Sequence, residues 1–285
     1  MPRAIDHLVI ASRDLAAAAE FYRRLGFQVG ARNRHPWGTE NHIVQFDGSF
    51  LELIGLGEGF AAPASQAGHY SFAGFVARFL ARHEGLAMLA IRSSDAEADR
   101  REFADKGLGD FERFDFARKA TRPGGETVDV AFSLAFAASE ALPETGFFVC
   151  QQHFPQNFWS PSAQVHPNGA TGIAGLAFAH EAPEDAVRFL APFLGASRAR
   201  RAGQGLEIET DGARIEIAPR STLVERYGPA IAPDGPSLAL IRIRVAESDK
   251  SSAFSSRGAI PHSLRGHALE LNAANACGVA IVFEP

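Results

Sequence analysis

Ile5, Leu8, Val9 and Ile10 make a short apolar run broken by a polar pair, Asp6 and His7, and the apolar spacing then changes from strand-like to helical. Leu15, Ala18, Tyr22 and Leu25 share one helical face. Asp14 stands where a helix N-cap belongs, because its carboxylate can accept the first free backbone N–H groups. Gly26 stands at the stop, where a left-handed residue closes a helix. The stretches FQVGARNRH, NHIVQFDG and GSFLELIGL supply three further extended segments, so the opening of the chain reads as one βαβββ unit.

The same order returns three times. After a Gly-, Ala- and Pro-rich loop from Gly57 to Gln66, Phe72, Phe75, Val76, Phe79 and Leu80 mark an amphipathic helix over about residues 71–84, capped by Ser71 and stopped by Gly85. It reads as an inserted structural brace. The second unit begins at LAMLAIRSSD, with Ser94 and Glu97 at capping-box spacing, and continues through FERFDFARKA, TVDVAFSLAFA and GFFVCQQHF. A connector rich in Pro, Asn, Ser and Gly, carrying Phe158 and Trp159, precedes the third unit, where Asp211 and Gly212 form a two-residue hairpin turn. The fourth runs from SLALIRIRVAESD to CGVAIVFE. Gly26, Gly107, Gly195 and Gly258 are the expected helix stops, unevenly spaced, so this is not a solenoid of fixed period. The expected fold is α+β: tandem βαβββ modules, two per domain (1–165 and 170–285), each pair a curled half-barrel sheet with helices outside.

Chemistry concentrates in the first unit. In a curled βαβββ unit the first and last strands can lie side by side, which brings His7 and Glu52 onto one concave face. An imidazole beside a carboxylate is a natural start for a divalent metal site.

The opening DHLVIAxxDLxxAxxFYxxLGF and the closing FLELI resemble the vicinal oxygen chelate superfamily, to which glyoxalase I, extradiol dioxygenases and bleomycin-resistance proteins belong. HPWGTEN (His35 to Asn41) and FFVCQQHFPQNFW (Phe147 to Trp159) narrow the resemblance to a bacterial glyoxalase-like domain family, over residues 1 to about 170. The resemblance implies a divalent ion, of the Zn, Ni, Mn or Fe kind, held by His7 and Glu52. It also implies that a carboxylate, Glu52 as ligand or as base, moves a proton next to a carbonyl.

The other ligand positions depart from that pattern. Matching Asp95 to Asp14 puts Met88 where His7 stands, and a thioether is a weak ligand for hard or borderline ions. Aligning FVC with FLE places Cys150 at the Glu52 position, while a one-residue shift selects Gln151. By period two, either Phe148, Cys150 and Gln152 or Phe147, Val149, Gln151 and His153 face the cavity. Both registers stay open, and Gln151, Gln152 and His153 are pocket candidates with Trp37, whose HPWGT segment reads as a buried anchor or as pocket rim. In the third and fourth units Gly175 and Arg242 fall at the His7 position and Glu216 at that of Glu52, so the C-terminal half reads as a degenerate copy without a metal.

Composition adds mainly exclusions. A net charge of −5 and a pI near 6.1 give no basic footprint for nucleic acid. Two cysteines, Cys150 and Cys277, are too few for a disulfide framework, which points to a reducing cytoplasm. With no signal peptide and no apolar run of bilayer length, neither secretion nor membrane insertion is expected. The common nucleotide, zinc-protease and hydrolase motifs are missing. The expected function is a glyoxalase-like lyase or isomerase on a small carbonyl compound, with a homodimer as the expected assembly. The alternatives are a small-molecule sequestering protein of the bleomycin-resistance type and, third, a ring-cleaving dioxygenase, which would need a histidine where Met88 stands.

Overall fold

A computed structural model describes residues 2–64, 66–121 and 125–285; Ser65, within the loop expected between Gly57 and Gln66, lies outside the described residues. The N-terminal half runs β1 (Ile5–Ala11), α1 (Leu15–Arg24), β2 (Asn33–Arg34), β3 (Thr39–Phe46), β4 (Ser49–Leu56), α2 (Phe72–Leu80), β5 (Gly85–Arg92), α3 (Ala96–Asp105), β6 (Phe114–Thr121), β7 (Thr127–Ala137) and β8 (Gly146–Gln152). These strands form one mixed sheet in the order β2-β3-β4-β1-β5-β8-β7-β6. The helix of each module is the crossover that lets its first and last strands run parallel: β1 beside β4, β5 beside β8. The two modules join through the antiparallel β1–β5 pair at the centre. After a connector with the short α4 (Pro155–Phe158), the C-terminal half repeats the plan with β9 (Ala170–Ala179), α5 (Pro183–Phe193), β10 (Arg200–Ala202), β11 (Gly205–Glu209), β12 (Arg214–Ala218), α6 (Arg220–Tyr227), β13 (Leu238–Val245), α7 (Ser248–Arg257), β14 (Ser263–Arg265), β15 (Ala268–Leu271) and β16 (Ala280–Glu284). Its sheet order is β10-β11-β12-β9-β13-β16-β15-β14, the same permutation. The protein is thus α+β, built from four βαβββ modules in two curled sheets.

The local signals act as their chemistry requires. Asp14 Oδ1 accepts from Ala17 N–H at 2.9 Å, and Ser71 Oγ from Gly74 N–H at 3.1 Å. Gly26, Gly107 and Gly195 sit at φ of +86°, +67° and +65°. Four details differ from the sequence reading. The cap of α3 is Asp95, which accepts from Ala98 N–H at 3.0 Å; Ser94 does not cap, and Glu97 instead pairs with Arg100 and Arg101. Gly258 is right-handed, and Ala259, at φ +50°, makes the left-handed turn after α7. Helix α2 ends before Gly85, which opens β5. Of FQVGARNRH only Asn33 and Arg34 pair as strand.

Pleating sends alternate side chains to opposite faces. Leu8, Ile10, Leu89, Ile91, Phe147 and Val149 point to the convex face, where with α1, α3 and α5 they meet the corresponding face of the second sheet in one continuous core. Phe147 lies 4.7 Å from Phe189 and 6.2 Å from Phe178 across this junction. Two helices break the expected pattern of helices outside. Helix α2 lies on the concave face, its Phe72, Phe75, Val76, Phe79 and Leu80 packed with Val9, Ile54, Met88 and Phe148. Helix α6 does the same in the second half, with Leu223 and Tyr227 against Ala177 and Leu240. Seven of the nine α2 residues are buried, so its apolar surface is satisfied only inside the curl.

Candidate functional site

The concave face of the first sheet carries one buried polar chain among aromatic rings. The register of β1 and β5 slips between Ile5 and His7, leaving Asp6 unopposed as a bulge residue. A bulge re-aims a side chain, and here it puts two successive polar residues in contact. His7 Nδ1–H donates to Asp6 Oδ1 at 2.6 Å. The imidazole is clamped by Phe50, stacked at 4.2 Å, and by the edge of Phe148 at 5.2 Å. Its Nε2 therefore looks along the face toward Glu52 Oε2, 3.8 Å away.

Glu52 is held from the other side. Asn41, two residues from Ile43 on β3, donates Nδ2–H to Glu52 Oε1 at 2.5 Å and also lies 3.3 Å from His35 Nε2. His35 Nδ1–H donates to Thr39 Oγ1 at 2.8 Å, which leaves Nε2 as an acceptor, 3.7 Å from Glu52 Oε1. Burial lowers the His35 pKa; Glu52 pulls it up and Arg118 pushes it down. The His35 ring is therefore kept neutral, and its contact with Glu52 is not an ion pair. Trp37 stacks on His35 at 4.6 Å and meets Phe116 and Phe114 edge-on at 4.9 and 5.0 Å. HPWGT is an aromatic wall over the polar chain.

Internal symmetry locates the remaining positions. The pairs His7–Ala90 and Met88–Val9 exchange under the two-fold that relates the modules, so Met88 is the counterpart of His7. Val9 pairs with Glu52 and Ala90 with Phe148, which makes Phe148, not Cys150, the counterpart of Glu52. Cys150 pairs with Arg92, two residues further along. Of the two registers left open for this strand, the structure has Phe148, Cys150 and Gln152 on the concave face. Gln151 turns to the convex side, where its Oε1 accepts from Ala96 N–H at the start of α3. His153 sits exposed beyond the strand, its Nε2 2.8 Å from Ser133 Oγ. In the second half Gly175 is the counterpart of His7, as expected, but its symmetry mate is Leu240, because Arg242 pairs directly with Gly175. Glu216 is occupied by Arg226 and by the Tyr227 hydroxyl at 2.9 Å.

Two cavities flank the chain. One, of about 300 Å³, is lined by Asp6, Cys150, Gln152, Arg92 and Trp159. The other, of about 400 Å³, is lined by Ile43, Gln45, Arg118 and Val130 and closed by the connector at Gln156 to Pro161. Ile43 is the direct cross-strand neighbour of Glu52. Phe158 packs 5.1 Å from Phe50, and Gln45 pins the connector by donating to Phe158 O at 2.8 Å and accepting from Ser160 N–H at 2.9 Å. The sequence reading missed Asp6 as a partner of His7, and Asn41 and Arg118 as neighbours of Glu52. Only the interruption of an apolar strand by two successive polar residues hinted at the first.

Over the whole chain the fold is that of known proteins of low identity. A hypothetical protein from Staphylococcus aureus is 12% identical, with 99% of each chain covered and a TM-score of 0.65. A variant of 4-hydroxymandelate synthase from Streptomyces coelicolor is 14% identical over 99% of this chain and 92% of its own, with a TM-score of 0.59. The Mn(II)-bound glyoxalase from Novosphingobium aromaticivorans is 10% identical over 99% and 82%, with a TM-score of 0.58. No curated protein matches the sequence. The fold is that of the vicinal oxygen chelate superfamily. Within it the chain belongs to the glyoxalase-like domain family, whose model matches residues 5–194.

The superfamily raises the question of a metal. At the position of the resemblance, His7 Nε2 and Glu52 Oε2 are suitable donors, with Asp6 behind the imidazole as an orienting carboxylate. The two symmetry-related positions are Met88 and Phe148, so this place falls short of the three protein donors that hold a catalytic ion. A second group, Asp6, His7 and Cys150, has its ligand atoms within 4.8 Å of one another and could hold an ion. Its Nδ1 is engaged with Asp6, and burial, with Asp6 and Glu52 nearby, pushes the Cys150 thiol well up. The residues do not fit a firmly held ion at the Glu52 face, and no catalytic step is assigned to one.

Proposed function

We propose that the protein is a glyoxalase-type isomerase or lyase acting on a small carbonyl compound, with Glu52 as the base and His7, oriented by Asp6, as its acid–base partner. One geometry carries this reading: Glu52 Oε2, with no hydrogen-bond donor among the described residues, faces the acceptor side of His7 across 3.8 Å beside the Ile43 wall of a cavity. Two acceptors facing each other at this distance invite a donor between them, such as a substrate hydroxyl. In the reaction, Glu52 removes a proton from the carbon next to the carbonyl, the electron pair moves onto the carbonyl oxygen, and the proton returns to the neighbouring carbon. His7 receives or returns the hydroxyl proton, and a positioned acid–base pair of this kind contributes about 10²–10⁴-fold. The test is proton NMR in D₂O with a panel of 2-hydroxy ketones and 2-oxo aldehydes, with and without a thiol. Deuterium entry at the carbon beside the carbonyl, lost in Glu52→Gln, is the expected result. Exchange that is absent, or equal in the variant, overturns the assignment.

A second reading is a sequestering protein. Met88 and Phe148 at the metal positions, and α2 filling the curl, favour it. It predicts binding of an apolar metabolite with no exchange in the same experiment.

A further inference from the structure

We infer that Arg118 is an anion subsite of the 400 Å³ cavity and that it binds the carboxylate of a small monoanionic carbonyl compound of the 2-oxo acid kind. Arg118 lies on β6, paired with Val130 of β7, and both line this cavity. A guanidinium carries five N–H donors. The hydrogen bond this one makes among the described residues is from Nη1–H to Lys119 O, at 3.4 Å. No carboxylate of the described residues stands within 4.0 Å of it, whereas Lys119 beside it is paired with Asp129 at 2.6 Å.

Arg220 gives the comparison. It too is half-buried without a salt bridge, but its guanidinium donates to Ala232, Gly235 and Pro236 carbonyls at 2.8, 2.8 and 3.0 Å. Arg220 is a structural brace with its donors used, and Arg118 has most of its donors open. Burial holds the Arg118 pKa below the ordinary arginine value, and Glu52 is the acid whose field it feels. The amides sharing the lining are already committed. Gln45 holds the connector, Asn33 donates to Ala31 O and Asn41 Oδ1, and Asn157 donates to Asp129 O.

The chemical class follows from charge and size. A planar fork of donors matches a carboxylate. One guanidinium with Glu52 already in its field offers a single positive charge, so a dianionic phosphate meets more repulsion here than a monoanion does. A cavity of about 400 Å³ is at the small end for ligand sites, and Phe158, Trp159 and Ile43 offer apolar walls. What the ligand undergoes rests on the proton-transfer reading; that it binds here does not.

The experiment is isothermal titration calorimetry of the full chain with pyruvate, methyl pyruvate and inorganic phosphate. Wild-type protein should bind pyruvate at least tenfold more tightly than its neutral ester or phosphate. Arg118→Gln should abolish the difference between acid and ester, and Arg118→Lys should keep part of it. Equal affinity of the wild type for acid and ester overturns the inference without recourse to any variant. So does phosphate binding more tightly than pyruvate, or undiminished pyruvate binding by a folded Arg118→Gln. Loss of proton exchange in Glu52→Gln together with any of these leaves the function standing and removes the anion site alone.

Discussion

Phe148, paired with Ala90, stands in the second module where Glu52, paired with Val9, stands in the first. A phenyl ring at that place, with Met88 opposite, removes half of a symmetric donor set and leaves the polar chemistry to residues the symmetry does not relate. A divalent ion should therefore bind through the thiol group of residues if it binds firmly at all. Co²⁺ titration of untagged protein should give a thiolate charge-transfer band that grows as pH rises, because the buried Cys150 must lose its proton. Cys150→Ser should remove the band and weaken binding about tenfold or more. Unchanged affinity in Cys150→Ser would place the ion elsewhere.

Asp6 is fully buried, and its Oδ1 accepts from His7 Nδ1–H. Replacing it with Asn offers the ring either an N–H or a C=O, so the tautomer that aims an acceptor at Glu52 is no longer fixed. Proton exchange should fall by about 10²-fold in Asp6→Asn, in line with loss of one acid–base partner, with KM little changed. A change confined to KM would make Asp6 a binding residue.

What the sequence disclosed and what it hid divide by distance along the chain. Asp14, Ser71 and Gly26 were legible because a cap or stop depends on three or four neighbours. His7 and Glu52 were legible through the βαβββ order. Asp6 was not, because a bulge between Ile5 and His7 depends on the facing strand β5. Cys150 was placed two residues off by matching FVC to FLE, when the β5–β8 register decides the position. Helix α2 read only as an inserted brace because its pattern shows one apolar face, and only the curl of the sheet supplies apolar partners for the rest. Arg118 was invisible, since its significance lies in partners it lacks.

His166 fastens the connector that closes the cavity. Its Nδ1 accepts from Gln28 N–H at 3.0 Å and its Nε2–H donates to Gln45 O at 2.8 Å, an arrangement open only to the neutral ring. Burial lowers the pKa of His166, and likewise of His35 and His42. With folded values below the unfolded value of about 6.5, the unfolded chain takes up protons that the folded chain refuses. This stability is present above pH 6.5 or so and is lost as pH falls through the lowered values. Urea unfolding between pH 7.5 and 5 should show the loss, and His166→Gln should flatten the slope. An unaltered slope would assign the pH dependence to other groups.

The last test concerns the seam between the halves. Gly85 of β5, at φ +116°, and Gly278, at φ +78°, meet backbone to backbone: a Cβ on Gly278 would fall 2.3 Å from Glu84 O, and one on Gly85 2.3 Å from Gly278 O. Neither neighbour is a flexible side-chain end that can swing away, so the two loops would have to separate. Gly278→Ala should destabilise by about 2 kcal/mol or more, the sum of a left-handed residue and a displaced backbone. Ala259 offers the opposite sign. It already holds φ +50° after α7, so Ala259→Gly relieves strain of about 1–2 kcal/mol against the greater unfolded-state freedom of glycine, about 0.5–1 kcal/mol. The net expectation is between no change and a gain of about 1.5 kcal/mol. Chemical denaturation of both variants checks the pair. A Gly278→Ala protein as stable as the parent would mean that the two halves do not meet at this seam in solution.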